Sequence, residues 1–288
     1  MWTKKYCLAT ITDLNFLGGT LVLIHSFLKH NPWYKGDIVV FTNDLEEAEV
    51  ALFNRFPGCR IEPVDPELHK RTADLAAEYE RFQNRMGQFY ALNVFKLRGY
   101  DKVLFLDSDL LIRGSFKDLF QQKGDLLVCG DAYYYKKKLR DPITFHKVSP
   151  KEAEGLETVW TDTFNSGMML VDKSILTDTD YQDMLNMINV AHFRKITSSH
   201  SDQMLLNQHF RGQYTLVSST YNYRFVIARQ LMDQEGIDYD ACKAVHYTAR
   251  KKPWVPYHAI RSMSDYPEYR KSYDEWHKDW EEVLQQIK

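Results

Sequence analysis

The chain of 288 residues lacks several features that mark common classes of protein. Its four cysteines are scattered and form no C-x-x-C pair, so we expect reduced thiols and no zinc site. No segment approaches the roughly 18 consecutive apolar residues of a membrane helix, and the N-terminus has no apolar signal-peptide core. The sequence therefore predicts a cytoplasmic protein without a transmembrane segment.

Charge of either sign is not in excess, since 37 basic residues stand against 39 acidic ones. A protein that binds nucleic acid through bulk charge is strongly basic, so we expect no nucleic-acid partner. The aromatic fraction is high at 14%. Such a fraction is typical of carbohydrate stacking, but equally of an ordinary aromatic core.

Predicted strands and helices alternate through the first third of the chain. Apolar runs bounded by turn residues predict strands at residues 6–11, 37–44, 59–64 and 102–106. Helical patterns separate them at residues 18–30, 45–56 and 86–98. We predict an α/β, Rossmann-like fold with a single mainly parallel twisted sheet flanked by helices, whose ligands bind beyond the carboxyl ends of the strands.

The pattern changes after residue 130. Residues 131–155 are polar, basic and aromatic without clear periodicity, and they predict a long loop of the kind that forms lids. A strand at 167–172 and helices at 179–193 and 202–210 follow. The tail predicts a terminal helix with an apolar stripe, which is more typical of core packing than of a membrane or partner surface.

Two aspartates follow the most apolar of these strands. Asp107 and Asp109 come directly after the run 103–106. In extended geometry both carboxylates point to the same side, where they repel each other unless a cation or proton lies between them. The alternatives are solvated loop acids or an EF-hand calcium loop. The EF-hand is disfavoured because Ile112 stands where that loop needs glycine and Asp118 where it needs glutamate.

Three further polar clusters follow apolar runs or open helices, at residues 162–172, 200–210 and 246–254. Each has an ordinary structural explanation. The N-S-G of the first cluster could form a turn, and the D-Q of the second could begin a helix. His246, in the third, could be a satisfied core histidine. Their joint presence in this order is more informative than any one of them.

The joint pattern resembles glycosyltransferase family 8, the glycogenin-like retaining enzymes that use nucleotide-diphosphate sugars. The resemblance runs from about Tyr6 to Trp254. Its most specific parts are the D-x-D after an apolar strand and a final H-x-x-G-x-x-K-P-W pattern, represented here by His246, Ala249, Lys252, Pro253 and Trp254. It implies a GT-A glycosyltransferase fold, with a catalytic domain over residues 1–255 and a helical extension over residues 256–288 packed on or near it.

The resemblance implies that Asp107, Asp109 and His246 ligate one divalent ion together with two diphosphate oxygens. Mixed carboxylate and imidazole ligands suit Mn²⁺, with Mg²⁺ as the alternative. The ion would act as a Lewis acid on the departing nucleoside diphosphate. Lys252 would add positive charge at the β-phosphate.

The resemblance also implies a base and ribose region at the end of the first strand, formed by Ala9, Thr10, Thr12 and Asp13. Asp13 would accept a hydrogen bond from the imide N–H of uracil. Phe16 would lie against the base, and a helix-core position is an equal alternative for this ring. Ser108 would touch the ribose through its side chain or its backbone.

The sugar pocket implied by the resemblance comprises Asn165, Asp202 and Gln203, and Ser166 is a further residue expected to bind the donor. Asp202 would hold donor hydroxyls, and Gln203 would stabilise the anomeric centre from its back face. Because an amide is a poor nucleophile, we favour attack by the acceptor on the front face. Asp125 and Asp162 are candidates for further sugar or acceptor contacts.

The chain departs from the family pattern at two positions. Ala249 replaces the glycine of the H-x-x-G-x-x-K-P-W pattern, which affects how closely that loop approaches the diphosphate. Ala91 stands where glycogenin-like chains carry a lysine thought to help hold the donor. Arg85 and Lys96 are the candidates to replace it.

We therefore predict a metal-dependent retaining hexosyltransferase that moves glucose or galactose from a UDP-sugar to a carbohydrate or other hydroxyl acceptor, with a homodimer as a compatible assembly. One alternative is a sugar-phosphate nucleotidyltransferase, although "LATITDLNFLGGT" lacks the arginine of a basic phosphate loop. The other is a non-catalytic protein that binds nucleotide sugars.

Overall fold

The computed structural model describes residues 4–156, 159–196 and 200–287. The strands in these ranges are β1 Tyr6–Ile11, β2 Asp37–Thr42, β3 Cys59–Pro63, β4 Lys102–Leu106, β5 Leu110–Ile112, β6 Leu126–Gly130, β7 Leu139–Arg140, β8 Lys147–Val148, β9 Phe164–Asp172, β10 Thr215–Leu216 and β11 Ala244–His246.

The α-helices in the same ranges are α1 Leu17–His30, α2 Glu47–Phe53, α3 Pro66–Glu78, α4 Glu80–Gln83, α5 Met86–Phe89, α6 Lys117–Gln121, α7 Ala132–Tyr135, α8 Pro150–Ala153, α9 Asp178–Met187, α10 Val190–Arg194, α11 Asp202–His209, α12 Ala228–Glu235, α13 Pro256–Asp265 and α14 Tyr269–Ile287. Short 3₁₀ helices cover Tyr90–Lys96, Lys173–Ile175, Ser219–Tyr221 and Phe225–Ile227.

Seven strands form one sheet in the order β10, β6, β9, β4, β1, β2, β3. The pairs β1–β2, β2–β3 and β10–β6 are parallel, whereas β6 and β9 are antiparallel. Two smaller ladders join β11 to β5 and β7 to β8. The α/β fold with a mainly parallel sheet and flanking helices is therefore confirmed.

The chain divides into two compact units that are interleaved in sequence. Unit 1 comprises Met1–Lys5, Val64–Val103 and Gly124–Val217. Unit 2 comprises Tyr6–Pro63, Leu104–Lys123 and Ser218–Lys288. The predicted division at residue 255 stays a prediction about catalytic organisation, and the two units are described separately below.

Unit 2 is built on the parallel strands β1, β2 and β3. The central residues of β1 and β2 are buried, whereas those of β3 are half-buried. Helix α14 packs against α1 in this unit. Lys29 of α1 reaches Asp279 and Glu282 of α14 at 2.8 and 2.7 Å. Trp276 and Val283 of α14 are buried. The terminal helix is confirmed. Its predicted apolar stripe comprises Trp276, Trp280, Val283, Leu284 and Ile287, of which Trp276 and Val283 serve core packing.

Unit 1 contains elements that the sequence reading missed or merged. Helix α3 was not predicted, although Asp65 caps it by accepting bonds from two backbone N–H groups and Pro66 opens it. The single helix predicted over residues 179–193 is two helices. Asn189 begins the second one, because its side chain accepts a bond from the backbone of His192 at 2.8 Å.

The long loop predicted over residues 131–155 also carries structure. It contains α7, the β7–β8 ladder and α8. Helix α8 has a reciprocal cap between Ser149 and Glu152, which holds so short a helix together. Among the residues that the structure describes, no helix combines the length and the apolar content needed to span a bilayer.

Candidate functional site

Strand pairing in unit 2 brings the D-x-D segment close to His246. Strand β4 is buried along its length and ends before Asp107. The chain re-enters extended structure at β5, which pairs antiparallel with β11 so that Leu110 lies opposite His246. Because of this register, a histidine more than 130 positions further along the chain lies beside Asp109.

The side chains of Asp107, Asp109 and His246 converge on one point. Nε2 of His246 lies 3.0 Å from Oδ1 of Asp109 and 3.5 Å from Oδ2 of Asp107. One ligand atom from each residue lies within 4.8 Å of the others. Asp109 and His246 are buried, and Asp107 is half-buried. We call these three residues the metal cluster.

Asn222 orients the imidazole of His246. Its Oδ1 lies 2.9 Å from Nδ1, and since an amide oxygen can only accept, Nδ1 carries the proton. The lone pair of Nε2 then faces the two carboxylates. Such a partner behind a ligating histidine fixes its tautomer and its ring orientation. Asn222 was missed in the sequence, where no motif marks it.

The donor set fits a divalent cation. Oδ1 of Asp109 is buried and accepts no hydrogen bond from the described residues, although Nε2 of His246 is 3.0 Å away. Two lone pairs facing each other at this distance repel, and a cation between them removes the repulsion. Two carboxylates with one imidazole suit Mn²⁺ or a similar ion.

The protonation states also suit ligation. Burial raises the pKa of Asp109, but the charge of Lys252 and the neighbouring imidazole of His246 outweigh burial and hold the pKa well below its usual range. Burial lowers the pKa of His246, against the opposing pull of Asp109. At neutral pH the carboxylate is therefore ionised and the imidazole neutral, which are the forms that bind metal.

Lys252 lies beside the metal cluster. Its ammonium donates to Oδ2 of Asp109 and, at 2.7 Å, to the carbonyl of Tyr247. The ammonium also lies 5.3 Å from the centre of the Phe16 ring. The position implied for it at a β-phosphate stays a prediction, and in this structure its charge neutralises Asp109.

Ala249 adopts a φ of 55°, in the left-handed region that glycine enters without strain. The loop after β11 therefore has, at this alanine, a backbone conformation that glycine adopts without strain. A non-glycine residue in this region is strained. The replacement of the family glycine by Ala249 therefore introduces backbone strain in this loop.

The residues expected to hold base and ribose lie at the end of β1. Thr12 accepts a hydrogen bond from Thr20 at 2.7 Å, and Thr10 lies 3.3 Å from the hydroxyl of Ser108. Ser108 is buried and also donates to the carbonyl of Ile11. Its hydroxyl therefore fastens the D-x-D segment to β1. The Ser108 backbone is then the better candidate for the expected contact with ribose.

Asp13 and Phe16 flank the start of α1. Oδ1 of Asp13 accepts a bond from the backbone of Phe16 at 2.9 Å, and burial raises the pKa of Asp13. Phe16 is half-buried with its ring edge-on to Trp254 at 5.8 Å. Ala9 is buried within β1, so its backbone is what it offers a ligand.

Gly19 allows α1 to approach the backbone of Ser108 and the ring of Trp254 closely. A Cβ at this position would lie 2.7 Å from the carbonyl of Ser108 and 2.7 Å from the ring of Trp254. Neither neighbour can move easily, because one is backbone and the other a half-buried ring. The glycine in the helix entry is therefore needed for packing between α1, the D-x-D segment and Trp254.

A second cluster lies in unit 1, where β9 and α11 meet. Asn207 of α11 fastens the two elements, since its side-chain amide both donates to and accepts from the backbone of Phe164 at 2.9 Å. Asn165 of β9 then donates to Oε1 of Gln203 at 2.9 Å. The sequence-predicted Asn165 and Gln203 are thus brought together.

Asp202, of the predicted sugar pocket, and Ser166, predicted to bind the donor, lie in the same region. Asp202 is buried, and burial raises its pKa despite hydrogen bonds from Ser166 and Ser201. The Ser201 hydroxyl lies 2.9 Å from Asp202 and 2.5 Å from Gln88. The structure therefore brings all four of these predicted site residues to the same region of unit 1.

Asp131 is a member of this region that the sequence reading missed. It follows the apolar strand β6 and accepts a bond from Nε2 of Gln203 at 3.2 Å. The signal was present, because "LLVCGD" repeats the pattern of an apolar strand followed by an aspartate that singled out Asp107. We call Asp131, Asn165 and Gln203 the amide cluster.

The other candidates occupy different positions. Asp125 precedes β6, at the opposite end of that strand from Asp131, and accepts a bond from Ser174 at 2.6 Å. Asp162 is exposed, and its carbonyl accepts a bond from Tyr214. Their contacts with a sugar or an acceptor stay predictions.

The two candidates to replace the family lysine also differ. Lys96 is committed to an ion pair with Asp65. Burial lowers the pKa of His200 to about 4, and the charges of Arg140 and Arg85 add to this effect. Arg85 therefore lies within electrostatic range of His200, and its replacement of the family lysine stays a prediction.

Residues 7–256 match the model of glycosyl transferase family 8. The chain belongs to this family. The resemblance read from the sequence is thereby confirmed. Among curated proteins, galactinol synthase 6 of Arabidopsis thaliana is 28% identical over 68% of this chain and 57% of its own length. Glycogenin of Neurospora crassa is 26% identical over 83% of this chain and 30% of its own length.

The chain thus spans about half or less of these relatives. Among solved structures, the galactosyltransferase LgtC in complex with donor and acceptor sugar analogs superimposes with a TM-score of 0.67 at 18% identity, covering 95% of this chain and 99% of LgtC. The glycosyltransferase GlyE of Streptococcus pneumoniae gives a TM-score of 0.62 at 18% identity, covering 99% of this chain and 63% of GlyE. These similarities confirm the GT-A fold.

Proposed function

We propose that the protein is a metal-dependent retaining hexosyltransferase that moves glucose or galactose from a UDP-sugar to a hydroxyl acceptor. The observation that carries this proposal is the convergence of Asp107, Asp109 and His246, with Asn222 setting the tautomer of the imidazole. The buried Oδ1 of Asp109 without a hydrogen bond supports a cation at this point. Membership of family 8 supports the reaction type.

The residues of the metal cluster hold a divalent ion, Mn²⁺ in our proposal, with Mg²⁺ as the alternative. When bound, this ion supplies Lewis-acid neutralisation of the leaving diphosphate. With an ion bound there, Lys252 would be able to exchange part of its contact with Asp109 for the β-phosphate. Its positive charge then stabilises the leaving group where negative charge grows.

The transfer forms a bond between the acceptor oxygen and the anomeric carbon while the bond from that carbon to the β-phosphate oxygen breaks. The acceptor attacks from the side of the leaving group, and the β-phosphate oxygen takes its proton. Gln203 stabilises the positive charge on the anomeric carbon electrostatically, without a covalent bond. Asp202, Asn165 and Ser166 hold the sugar hydroxyls. The α configuration of the donor is retained because the acceptor attacks the face from which the leaving group departs.

Uracil is the base that we propose for the donor nucleotide. Asp13 can accept a hydrogen bond from the imide N–H of uracil, and Phe16 offers a ring face. Ala9, Thr10, Thr12 and Ser108 line the same region. A hexose is supported by the names of the relatives, which include a galactosyltransferase and galactinol synthases. A cytoplasmic location and a homodimer stay predictions.

The experiment is the release of UDP from UDP-glucose and UDP-galactose in Mn²⁺, in Mg²⁺ and in excess chelator. We expect release in Mn²⁺, slower release in Mg²⁺ and none in chelator. An undiminished rate in chelator would contradict the metal site. UDP binding without turnover would favour a non-catalytic binding protein, and UTP formation from pyrophosphate would favour a nucleotidyltransferase.

A second measurement addresses stereochemistry. The coupling constant of the anomeric proton in the product distinguishes an α linkage from a β linkage. We expect an α-linked product from an α-linked donor. A β-linked product would contradict the role proposed for Gln203.

A further inference from the structure

The amide of Gln203 lies in a chain of hydrogen bonds with a fixed direction. Its Nε2 donates to Oδ2 of Asp131 at 3.2 Å, and its Oε1 accepts from Nδ2 of Asn165 at 2.9 Å. Oδ1 of Asn165 in turn accepts from the backbone N–H of Gly167 at 3.3 Å. A carboxylate at one end can only accept and a backbone N–H at the other can only donate. Neither amide can therefore flip without losing a bond.

Both oxygens of the Asp131 carboxylate accept hydrogen bonds from within the chain. Its Oδ1 accepts from the backbone of Tyr133 and Tyr134 at 2.8 and 2.9 Å and from the hydroxyl of Thr163 at 2.7 Å. Only Oδ2 remains for Gln203 and for Arg140, whose Nη2 lies 3.4 Å away. The three donors on Oδ1 fix the plane of the carboxylate and hence the direction in which Oδ2 points.

Arg140 supplies the opposite charge from a buried position. Its side chain is 1% exposed and that of Asp131 is 3% exposed. The guanidinium lies between two rings, 3.5 Å from the centre of Tyr133 and 4.0 Å from the centre of Phe145. Its Nη1 donates to the carbonyl of Phe145 at 2.8 Å.

The backbone around Arg140 is also unusual. Phe145 adopts a φ of 55°, which is strained for a bulky residue. Arg140 and Trp160 exchange two backbone hydrogen bonds of 3.0 and 2.9 Å. Strain of this kind persists where the surroundings over-determine it, and it is frequent at functional sites.

We propose that Asp131 and Arg140 are positioning residues that fix the amide of Gln203. This inference rests on the proposed function, because it is Gln203 that we assign to the anomeric centre. Arg140 neutralises and orients Asp131, and Asp131 fixes which end of the Gln203 amide is oxygen. An amide oxygen has two lone pairs and its nitrogen two protons, so each end keeps capacity for one further bond with a ligand.

Replacement of Asp131 by asparagine tests this arrangement. The three donors on Oδ1 will select the amide oxygen of the new side chain, which leaves its NH₂ group facing Nε2 of Gln203. Two donors then oppose each other, and the Gln203 amide must turn. In D131N we expect kcat to fall by roughly 10- to 100-fold, within the range for one misplaced electrostatic group, with the Kd for UDP unchanged.

Asp65 offers a matched control in the same unit. Its Oδ1 accepts from the backbone of Glu67 and Leu68 at the start of α3, and its Oδ2 pairs with Lys96. D65N therefore makes the same change at a helix cap paired with a cation, but without a glutamine beyond it. We expect D65N to keep the wild-type kcat.

A double variant distinguishes positioning from an independent role. If Asp131 acts through Gln203, the D131N/Q203A protein is no slower than Q203A alone. The milder R140K variant, which keeps the charge but loses the planar fork, should lower kcat less than D131N and should likewise add nothing to Q203A. A double variant whose kcat falls by the product of the two single effects would overturn the proposal, as would a folded D131N protein with wild-type kcat.

The amide itself can be observed whether or not the protein turns over UDP-sugars. In a ¹⁵N-labelled sample, the side-chain NH₂ resonances of Gln203 are assigned by their loss in Q203A. We expect them to move in D131N and R140K and to stay in place in D65N. Unmoved resonances in D131N would overturn the positioning role. If the resonances move but wild-type protein releases no UDP from any UDP-sugar, the proposed function fails and the positioning role stands.

Discussion

The metal cluster and the amide cluster, one in each unit, satisfy their buried polar groups in opposite ways. In the metal cluster, Oδ1 of Asp109 is buried without a hydrogen bond from the described residues. In the amide cluster, both oxygens of Asp131 and both ends of the Gln203 amide have partners. We propose that an ion completes the first arrangement, whereas the polar groups of the second satisfy one another within the chain.

The formal charges follow the same difference. In the metal cluster two carboxylates face one ammonium and a neutral imidazole, so one negative charge is left to attract a cation. In the amide cluster the charge of Asp131 is matched by Arg140, and the remaining groups are neutral dipoles. The metal cluster therefore suits a diphosphate that binds together with a divalent cation. The amide cluster suits an uncharged sugar.

The largest effect is expected for removal of a metal ligand. In Asp109→Ala the proposed ion loses its most buried carboxylate, so we expect the rate of UDP release to fall by on the order of 10³-fold or more, the upper end for loss of one electrostatic contact. The fold should survive with reduced stability, because loss of the ion pair with Lys252 is partly offset by loss of the repulsion between Asp107 and Asp109. UDP release and circular dichroism measure the two quantities.

Asp279→Ala is the control for this variant. Asp279 is also buried in unit 2 and also pairs with a lysine, Lys29, at 2.8 Å. Because Asp279 lies outside the metal cluster, its replacement should lower the free energy of unfolding without changing the rate of UDP release. An Asp109→Ala protein that fails to fold would indicate that the D-x-D acids are structural.

A smaller loss is expected at the amide cluster. Gln203→Ala should slow turnover by on the order of 10²-fold, since one preorganised electrostatic contact is lost. The Kd for UDP should not change, because Gln203 is proposed to touch the sugar and not the nucleotide. Gln208→Ala, on the same helix and bonded to the backbone of Ile143 at 2.9 Å, is the control. A tenfold weaker Kd for UDP in Gln203→Ala would contradict the separation of roles.

The partner behind His246 should affect metal affinity more than turnover at saturating metal. Asn222→Leu removes the acceptor for Nδ1–H, and loss of such a partner weakens metal binding by roughly 10- to 100-fold. Asn222→Asp keeps an acceptor and should keep the affinity. Titration of Mn²⁺ against the rate of UDP release measures both variants. Equal affinities in the two would show that Asn222 does not orient the imidazole.

The parts of these clusters that could be predicted are those with a local sequence signal. An apolar strand followed by acids marked Asp107 and Asp109, and the same rule applied to β6 would have marked Asp131. His246 was found through the spacing of a family motif. Its proximity to Asp109, by contrast, follows from the pairing of β5 with β11, which no local pattern specifies.

Asn222 and Arg140 could not be predicted for a different reason. Asn222 contacts His246, which lies 24 positions further along the chain. Arg140 is buried within an irregular segment. An asparagine after a short 3₁₀ helix and an arginine in a basic, aromatic stretch are typical of exposed loops. Both are buried, and burial of irregular segments depends on tertiary packing that periodicity does not encode.

The smallest effect is expected at Ala249, beside the metal cluster. Its φ of 55° costs an L-residue about 1 kcal/mol, while glycine adds backbone entropy to the unfolded chain. Because the strain exceeds the entropy term, Ala249→Gly should raise the free energy of unfolding by about 0.5 kcal/mol. Urea denaturation measures this change.

Gly236→Ala is the reverse substitution at a similar φ of 67°, at the end of α12, where an added Cβ would meet nothing within 4 Å. It isolates the backbone effect from packing, so by the same two terms it should lower the free energy of unfolding by about 0.5 kcal/mol. If Ala249→Gly instead destabilises the protein, contacts of the alanine methyl group outweigh its strain. The loop beside His246 would then be held by packing, and the metal cluster would share the self-contained character of the amide cluster.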